Sequence, residues 1–106
     1  MATKRSWRPD WSQDIPHRVT GLHLAAYFGV QEAVGILLMD WQNVDQKDTW
    51  GRAPLSLAVK NGHAAVVELL LATNKVNVDA RDNWGGTPLL HAARNGHAAV
   101  VELLRT

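Results

Sequence analysis

The chain contains five histidines, the residue type that most readily binds metals or transfers protons near neutral pH. They are His17, His23, His63, His91 and His97. No two of them stand four residues apart, the spacing that brings two imidazoles together on one face of a helix, and cysteine is absent. We therefore predict no metal site and expect the histidines to serve the scaffold.

Two other groupings resemble catalytic or phosphate-binding sites only in part. Ser56 and His23 occupy corresponding positions in two similar segments, but a hydrolase also needs an acid to orient the histidine and donors for an oxyanion. Gly85, Gly86 and Thr87 precede an apolar stretch, but the lysine of a phosphate-binding loop is missing. We predict no enzyme activity, no cofactor and no small-molecule substrate.

Four aspartates recur in pairs three residues apart, Asp45 with Asp48 and Asp79 with Asp82. A calcium-binding loop needs more oxygen ligands in alternating positions than these segments contain. Aspartate side chains also accept hydrogen bonds from the backbone of their own turn. We favour this second interpretation, in which the carboxylates stabilise turns.

These residues lie within an internal repeat. Residues 61–70 (NGHAAVVELL) are identical to residues 95–104, and the segments that begin at Trp50 and Trp84 match as well. A more divergent copy begins near Thr20. A repeat of this length predicts a solenoid in which each unit packs against its neighbours.

Each copy predicts two short helices. Thr87 provides an N-cap hydroxyl, and Pro88 takes the first helical position, where its missing N–H is tolerated. That helix ends at Asn95 and Gly96, because glycine readily adopts the left-handed conformation that terminates helices. Apolar residues at helical spacing then form a second helix over 98–104. Helices this short are unstable alone, so stacking must stabilise them.

Three segments of the third copy together resemble the ankyrin repeat: Thr-Pro-Leu at 87–89, Asn-Gly-His at 95–97 and Val-Val-Glu-Leu-Leu at 100–104. The resemblance implies an all-α fold, an ankyrin-type α-solenoid of stacked helix–turn–helix repeats with β-hairpin-like loops. It also implies that the first helices and the loop tips form a concave surface that binds proteins. His23 matches a family position whose imidazole hydrogen-bonds between neighbouring repeats.

The resemblance extends over residues 16–106 and divides the chain. We assign an N-terminal extension to 1–15, a divergent first repeat to 16–49, a second repeat to 50–83, and a third, which lacks its C-terminal loop, to 84–106.

Three departures from the family pattern lead to further expectations. Gly21 replaces the motif proline and Arg18 the lead-in glycine, so we expect the finger before the first repeat, its β-hairpin-like loop, to be irregular or absent. His91 stands where the earlier copies have leucine, so we expect a local packing compromise there. The last helix carries no polar substitutions, which suggests a longer array or an end covered by a partner.

The N-terminal extension interleaves Lys4, Arg5 and Arg8 with Trp7 and Trp11. This pattern is compatible with single-stranded nucleic acid or an anionic membrane surface, but three charges are few. We favour a flexible lead-in or a strip that covers the first repeat. The chain has 11 Lys and Arg against 10 Asp and Glu, so we predict neither a nucleic-acid nor a membrane partner. Since no signal peptide or membrane span is evident, we expect a cytoplasmic or nuclear location.

A protein of unknown identity is therefore the predicted partner. Trp50 and Trp84 lie one repeat apart near the finger tips, where we expect two exposed indoles to form interface hot spots. The alternative is that each ring packs over its own turn. The remaining predicted partner-binding residues match the family's variable concave positions: Tyr27, Phe28, Thr49, Arg52, Lys60, Asn61, Asn83, Arg94 and Asn95.

We thus predict a protein–protein interaction module. The alternative is a fragment of the sensing or regulatory repeat region of a larger signalling receptor, such as a nucleotide-dependent receptor of innate immunity, whose arrays this sequence resembles in style.

Overall fold

The computed structural model describes residues 19–39 and 44–105. Within these ranges the chain forms six α-helices and no β-strand. The predicted extension at 1–15 and the lead-in to the first repeat lie outside the described residues. The helices are α1 (Gly21–Phe28), α2 (Gln31–Leu37), α3 (Pro54–Lys60), α4 (Ala64–Ala72), α5 (Pro88–Arg94) and α6 (Ala98–Arg105).

The first helix of each repeat begins at the threonine or proline signal in the sequence. The Thr20 hydroxyl accepts a hydrogen bond from the His23 N–H at 3.2 Å, and the Thr87 hydroxyl accepts one from the Leu90 N–H at the same distance. In α3 the N-cap is Ala53, and the proline that follows occupies the first turn. The two threonine caps satisfy N–H groups that would otherwise lack a partner, and the predicted cap at Thr87 is confirmed.

The same three helices end at glycines in the left-handed region. The φ angles of Gly29, Gly62 and Gly96 are 74°, 73° and 74°. The chain reverses at each of them and enters the second helix within two residues. The predicted helix stop at Gly96 is therefore confirmed.

The helices form two layers. Helices α1, α3 and α5 pack side by side in an inner layer, and α2, α4 and α6 pack side by side in an outer layer. Each inner helix also packs against the outer helix that follows it in the chain. This is the predicted all-α solenoid of stacked helix pairs.

The core is a continuous apolar seam between the layers. Small and β-branched side chains fill it, which lets short helices approach closely, and each fully buried valine or leucine contributes about 1.5 to 3 kcal/mol relative to an exposed one. The hydrophobic core residues without measurable exposure are Ala26, Val34, Ala58, Val59, Val66, Val67, Leu70 and Ala92.

Polar contacts repeat along the stack with the same period. Asn61 Nδ2 and His63 Nε2 both donate to the Tyr27 carbonyl oxygen, at 2.8 and 2.9 Å. One repeat later, the asparagine and histidine at 95 and 97 donate to the Lys60 carbonyl oxygen, at 3.1 and 3.0 Å. These bonds satisfy the terminal carbonyls of α1 and α3 and fix the rotation of each repeat on the one before it.

Candidate functional site

The first finger turn, residues 48–52, is organised by one buried carboxylate. Asp48 Oδ1 accepts hydrogen bonds from the backbone N–H groups of Trp50 and Arg52, at 2.9 and 2.8 Å. Its Oδ2 accepts a bond from Arg52 Nε at 3.0 Å. The Asp48 N–H donates to the Arg52 carbonyl at 2.9 Å, which closes a hairpin-like turn without a regular strand.

The second finger turn, residues 82–86, repeats this arrangement. Asp82 Oδ1 accepts bonds from the N–H groups of Trp84 and Gly86 at 3.0 and 2.8 Å. Burial acts to raise the pKa of Asp82, but the hydrogen bonds from Gly86, His91 and Trp84 outweigh it, so the pKa lies below its ordinary value. The interpretation of these aspartates as turn-stabilising residues is confirmed for Asp48 and Asp82.

His91 takes the place of the arginine in this second turn. Its Nε2 lies 2.8 Å from Asp82 Oδ2, the carboxylate oxygen equivalent to the one that Arg52 contacts in the first turn. A Cβ at Gly86 would lie 2.6 Å from that imidazole nitrogen, so only glycine leaves room for the contact. The predicted packing compromise at His91 is therefore wrong, because the imidazole gains a charged hydrogen-bond partner.

The two finger tryptophans contact each other. The ring centroids of Trp50 and Trp84 lie 6.1 Å apart with the planes at 68°, an edge-to-face arrangement. The guanidinium of Arg52 lies over the Trp50 ring, with Cζ 4.7 Å from the ring centroid. Trp84 is 71% exposed, but Trp50 is only half-buried between its neighbours. The expectation of two exposed indoles is thus wrong for Trp50, because an indole is large enough to bridge one repeat spacing.

A cleft of about 180 Å³ lies beneath this pair, between the second and third repeats. Lys60 and Leu57 of α3 line one side, and His91 of α5 lines the other. The cleft therefore combines the two indoles and one leucine with charged and polar side chains, namely Arg52, Ser56, Lys60, Asp82 and His91. Because its lining residues come from two repeats, the cleft forms only when the second and third repeats stack against each other.

A second depression of about 260 Å³ adjoins the cleft toward the N-terminal end. Leu24, Tyr27 and Phe28 line it, with 52%, 43% and 66% of each side chain exposed. The Tyr27 and Phe28 rings pack edge to face at 4.9 Å. Arg52 and Leu57 line both depressions, so the two form one continuous surface on the inner layer.

Three asparagines of the predicted set use their amides within the stack. Asn61 and Asn95 donate to carbonyls of the preceding repeat, as described above, and Asn83 Nδ2 donates to the Thr49 carbonyl at 2.9 Å. The Asn83 N–H also donates to the Trp50 carbonyl at 3.0 Å, which ties the two fingers together. For these residues a role in partner binding stays a prediction.

Arg94 is exposed at the end of α5, at the position equivalent to Tyr27 and Lys60. Of the eleven predicted residues, the structure thus places Tyr27 and Phe28 at the N-terminal depression and gathers four others around or beside the cleft. Those four are Trp50, Arg52, Lys60 and Trp84.

The comparison with protein families agrees with this architecture. The family described as ankyrin repeats (3 copies) matches residues 22–106. The chain belongs to the ankyrin repeat family. Rabankyrin-5 of Mus musculus is 42% identical to it over 53 residues, and Rabankyrin-5 of Homo sapiens is 40% identical over 53 residues. Each match covers 50% of this chain and only 4% of the relative's length.

In this ankyrin array His23 joins the first two repeats, as the family resemblance implied. Its Nδ1 accepts a bond from the Thr20 N–H at 3.0 Å, so Nε2 carries the proton and donates to the Arg52 carbonyl at 2.8 Å. His23 has no exposed surface. The imidazole therefore anchors the base of the first finger turn to α1.

Sequence reasoning missed Leu24 and Leu57 as lining residues and gave His91 no place in the site. All three occupy the same position of their respective repeats, so an alignment of the three copies would have identified them as equivalent residues. Across the ranges that the structure covers, no three histidine, aspartate or glutamate side chains are grouped as metal ligands. No helix in the described part of the chain has the length and apolarity needed to cross a bilayer.

Proposed function

We propose that this ankyrin array is a protein-interaction module whose partner lies across the concave surface. That surface consists of the inner helices α1, α3 and α5 together with the finger turns at 48–52 and 82–86. Ankyrin repeats generally bind proteins, and the family assignment supports that general activity for this chain.

The exposed indole of Trp84 carries the proposal. It is 71% exposed although it is one of the largest apolar groups in the chain, and it contacts Trp50 at the rim of the cleft. Its own turn does not depend on the indole, because that turn is held by the Asp82 hydrogen bonds. Tryptophan is among the residue types most enriched in interface hot spots.

Affinity capture with matched variants tests this proposal. The array, its Trp84→Ala variant and its Glu68→Ala variant are each used to capture proteins from cells of the source organism. Glu68 is exposed on the outer helix α4 and is the control. We expect one or more proteins to be retained by the wild type and by Glu68→Ala, and to be lost with Trp84→Ala.

The variant must remain folded for this comparison to count. We expect Trp84→Ala to lower the free energy of unfolding by at most about 1.5 kcal/mol, the value of one aromatic pair. Captured proteins that are unaffected by Trp84→Ala but lost with Glu68→Ala would place the interface on the outer layer and reject the concave surface.

A second candidate function is that the array forms part of the sensing or regulatory region of a much larger signalling protein. Its support is the length of the curated relatives, of which the matched segment covers only 4%. The sequence of the complete coding region tests this candidate. A phosphate-binding loop upstream of the repeats would support a nucleotide-dependent receptor, and its absence would count against one.

A further inference from the structure

Three equivalent residues, each among the last two residues of its inner helix, point to the chemistry of the partner. These residues are Tyr27 in α1, Lys60 in α3 and Arg94 in α5. They occupy equivalent positions, and all three side chains are exposed. The row therefore changes along the stack from an aromatic residue to two cations.

Neither cation forms an ion pair with a carboxylate of the described residues. In the described part of the chain, the carboxylates nearest this face are already engaged, Asp48 with Arg52 and Asp82 with His91. The C-terminal helix carbonyls attract cations weakly, but the Lys60 carbonyl is itself occupied by hydrogen bonds from Asn95 and His97. A negatively charged ligand is thus the complement of this end of the surface.

The N-terminal end of the same surface has the opposite character. Leu24, Tyr27 and Phe28 expose large apolar areas around the second depression, and the glutamates of the described residues lie on the outer helices instead. A ligand that follows the row from Tyr27 past Lys60 to Arg94 therefore meets an apolar surface first and two positive charges after it.

The spacing of the row selects a conformation for such a ligand. Packed helices lie about 8 to 10 Å apart, so successive members of the row are separated by roughly that distance. A polyproline II segment has three residues per turn and rises about 3.1 Å per residue, which places every third side chain on one face at steps of about 9 Å. A β-strand would turn alternate members of such a series away from the surface.

We propose that the partner contributes an extended acidic peptide in the polyproline II conformation, with one apolar side chain and two carboxylates at successive intervals of three residues. The apolar side chain contacts Leu24, Tyr27 and Phe28, the first carboxylate pairs with Lys60, and the second pairs with Arg94. This inference rests on the proposed function, since it takes the concave surface to be the interface. A peptide bound in either direction along the row satisfies this spacing.

Fluorescence anisotropy with synthetic peptides tests the inference. The probes are fluorescein-labelled Leu-Pro-Pro-Glu-Pro-Pro-Glu and the same residues in reverse order. We expect one of them to bind the array, and to bind more weakly as the salt concentration rises. Lys60→Ala and Arg94→Ala should each raise its dissociation constant by about 1.5- to 5-fold, as for exposed ion pairs. The double variant Lys60→Glu and Arg94→Glu should abolish binding.

Matched controls separate spacing and location from charge alone. Leu-Pro-Glu-Pro-Glu-Pro-Pro has the same composition with the glutamates two residues apart, and we expect it to bind at least several-fold more weakly. Replacing the leucine by glutamine should weaken binding by about tenfold, because the burial of an apolar side chain is lost. Arg105→Ala removes a cation from the outer helix α6 and should leave binding unchanged.

Three outcomes would overturn the inference. In the first, peptides with the two glutamate spacings bind equally well. In the second, substitutions at Lys60 and Arg94 leave peptide binding unchanged. In the third, sedimentation shows that Lys60→Glu dissociates a dimer, which would make a second copy of the chain the occupant. If neither probe binds but the capture experiment still depends on Trp84, the acidic peptide is rejected and the concave interface stands. If the capture experiment also loses its dependence on Trp84, the proposed function fails with it.

Discussion

At the scale of single residues, the second finger turn shows how one charged contact is preserved through two changes. The first turn holds its aspartate with Arg52, and Leu57 lies on the adjacent helix. In the third repeat Gly86 replaces the arginine and His91 replaces the leucine, so the imidazole reaches the same carboxylate oxygen from the helix. The two substitutions depend on each other, because a side chain at 86 would occupy the space of the imidazole.

The lowered pKa of Asp82 leads to a prediction about acid stability. A carboxyl group whose pKa is lower in the folded state stabilises the fold above its unfolded pKa of about 3.9, and that stabilisation is lost as the pH falls through the lower folded value. We expect Asp82→Asn to lower the free energy of unfolding by about 1 to 3 kcal/mol at pH 7. Urea unfolding of both proteins should show a smaller difference in stability as the pH falls below about 3.9.

Asp45 is the control, since its pKa is shifted the other way. Burial raises the pKa of Asp45 despite the hydrogen bond from the Asn77 N–H to its Oδ2. The stabilisation associated with its protonated form is lost as the pH rises through the folded pKa. Asp45→Asn keeps an acceptor for Asn77 and should be at least as stable as the wild type at pH 7. A pH-independent loss of stability in both variants would contradict the electrostatic account.

A matched pair of glycines tests the contact between repeats. Gly62 and Gly96 have the same left-handed conformation, but a Cβ at Gly62 would lie 2.6 Å from His97 Nδ1, while a Cβ at Gly96 has no heavy atom within 4 Å. Gly96→Ala should cost about 1 to 2 kcal/mol in backbone strain. Gly62→Ala should cost about 1 to 3 kcal/mol more, because the imidazole must move. If thermal unfolding shows equal losses of stability for the two variants, the His97 imidazole does not restrict the space at position 62.

Interactions within one repeat could be predicted from residue types more reliably than interactions between repeats. The threonine caps, the glycine helix stops and the aspartate turns follow from interactions within a few residues, and these were predictable. The amides of Asn61 and Asn95 bond to carbonyls 34 or 35 residues away. Such contacts depend on how one repeat is rotated on the next, which no single repeat encodes.

Among the helices, equivalent positions in different repeats are buried to different extents. Leu55 in α3 is 1% exposed, while Leu89, at the same position in α5, is 43% exposed. The difference arises because α3 lies between two inner helices, whereas α5 packs against one inner helix within the described residues. Equal sequence therefore does not mean equal contribution to stability.

This comparison gives a prediction for the two leucines. Leu55→Ala should lower the free energy of unfolding by about 2 to 5 kcal/mol, because it leaves a cavity in the seam. Leu89→Ala should lower it by about 1 kcal/mol, since that side chain is already partly in solvent. Chemical denaturation of both variants measures the difference. Similar losses would mean that the inner helices are equally covered and that the described stacking is wrong.

At the scale of the whole molecule, the repeat period determined most of the fold in advance. Three helix pairs, their order and their stacking follow from the copies and from helices too short to exist alone. The site was less predictable. The sequence placed Trp50 and Trp84 one repeat apart, but it gave neither their mutual contact nor the cleft beneath them, because both depend on ring size and on the separation of neighbouring fingers.

Hydrogen–deuterium exchange of the array, with and without a captured partner, shows directly which layer the partner covers. We expect the partner to lie on the inner layer. Exchange should therefore be slower in the complex for backbone amides in the finger turns at 48–52 and 82–86 and at the ends of α1 and α3. The outer helix α4 should keep its exchange rates. Protection confined to α2, α4 and α6, with the finger turns unchanged, would contradict the account.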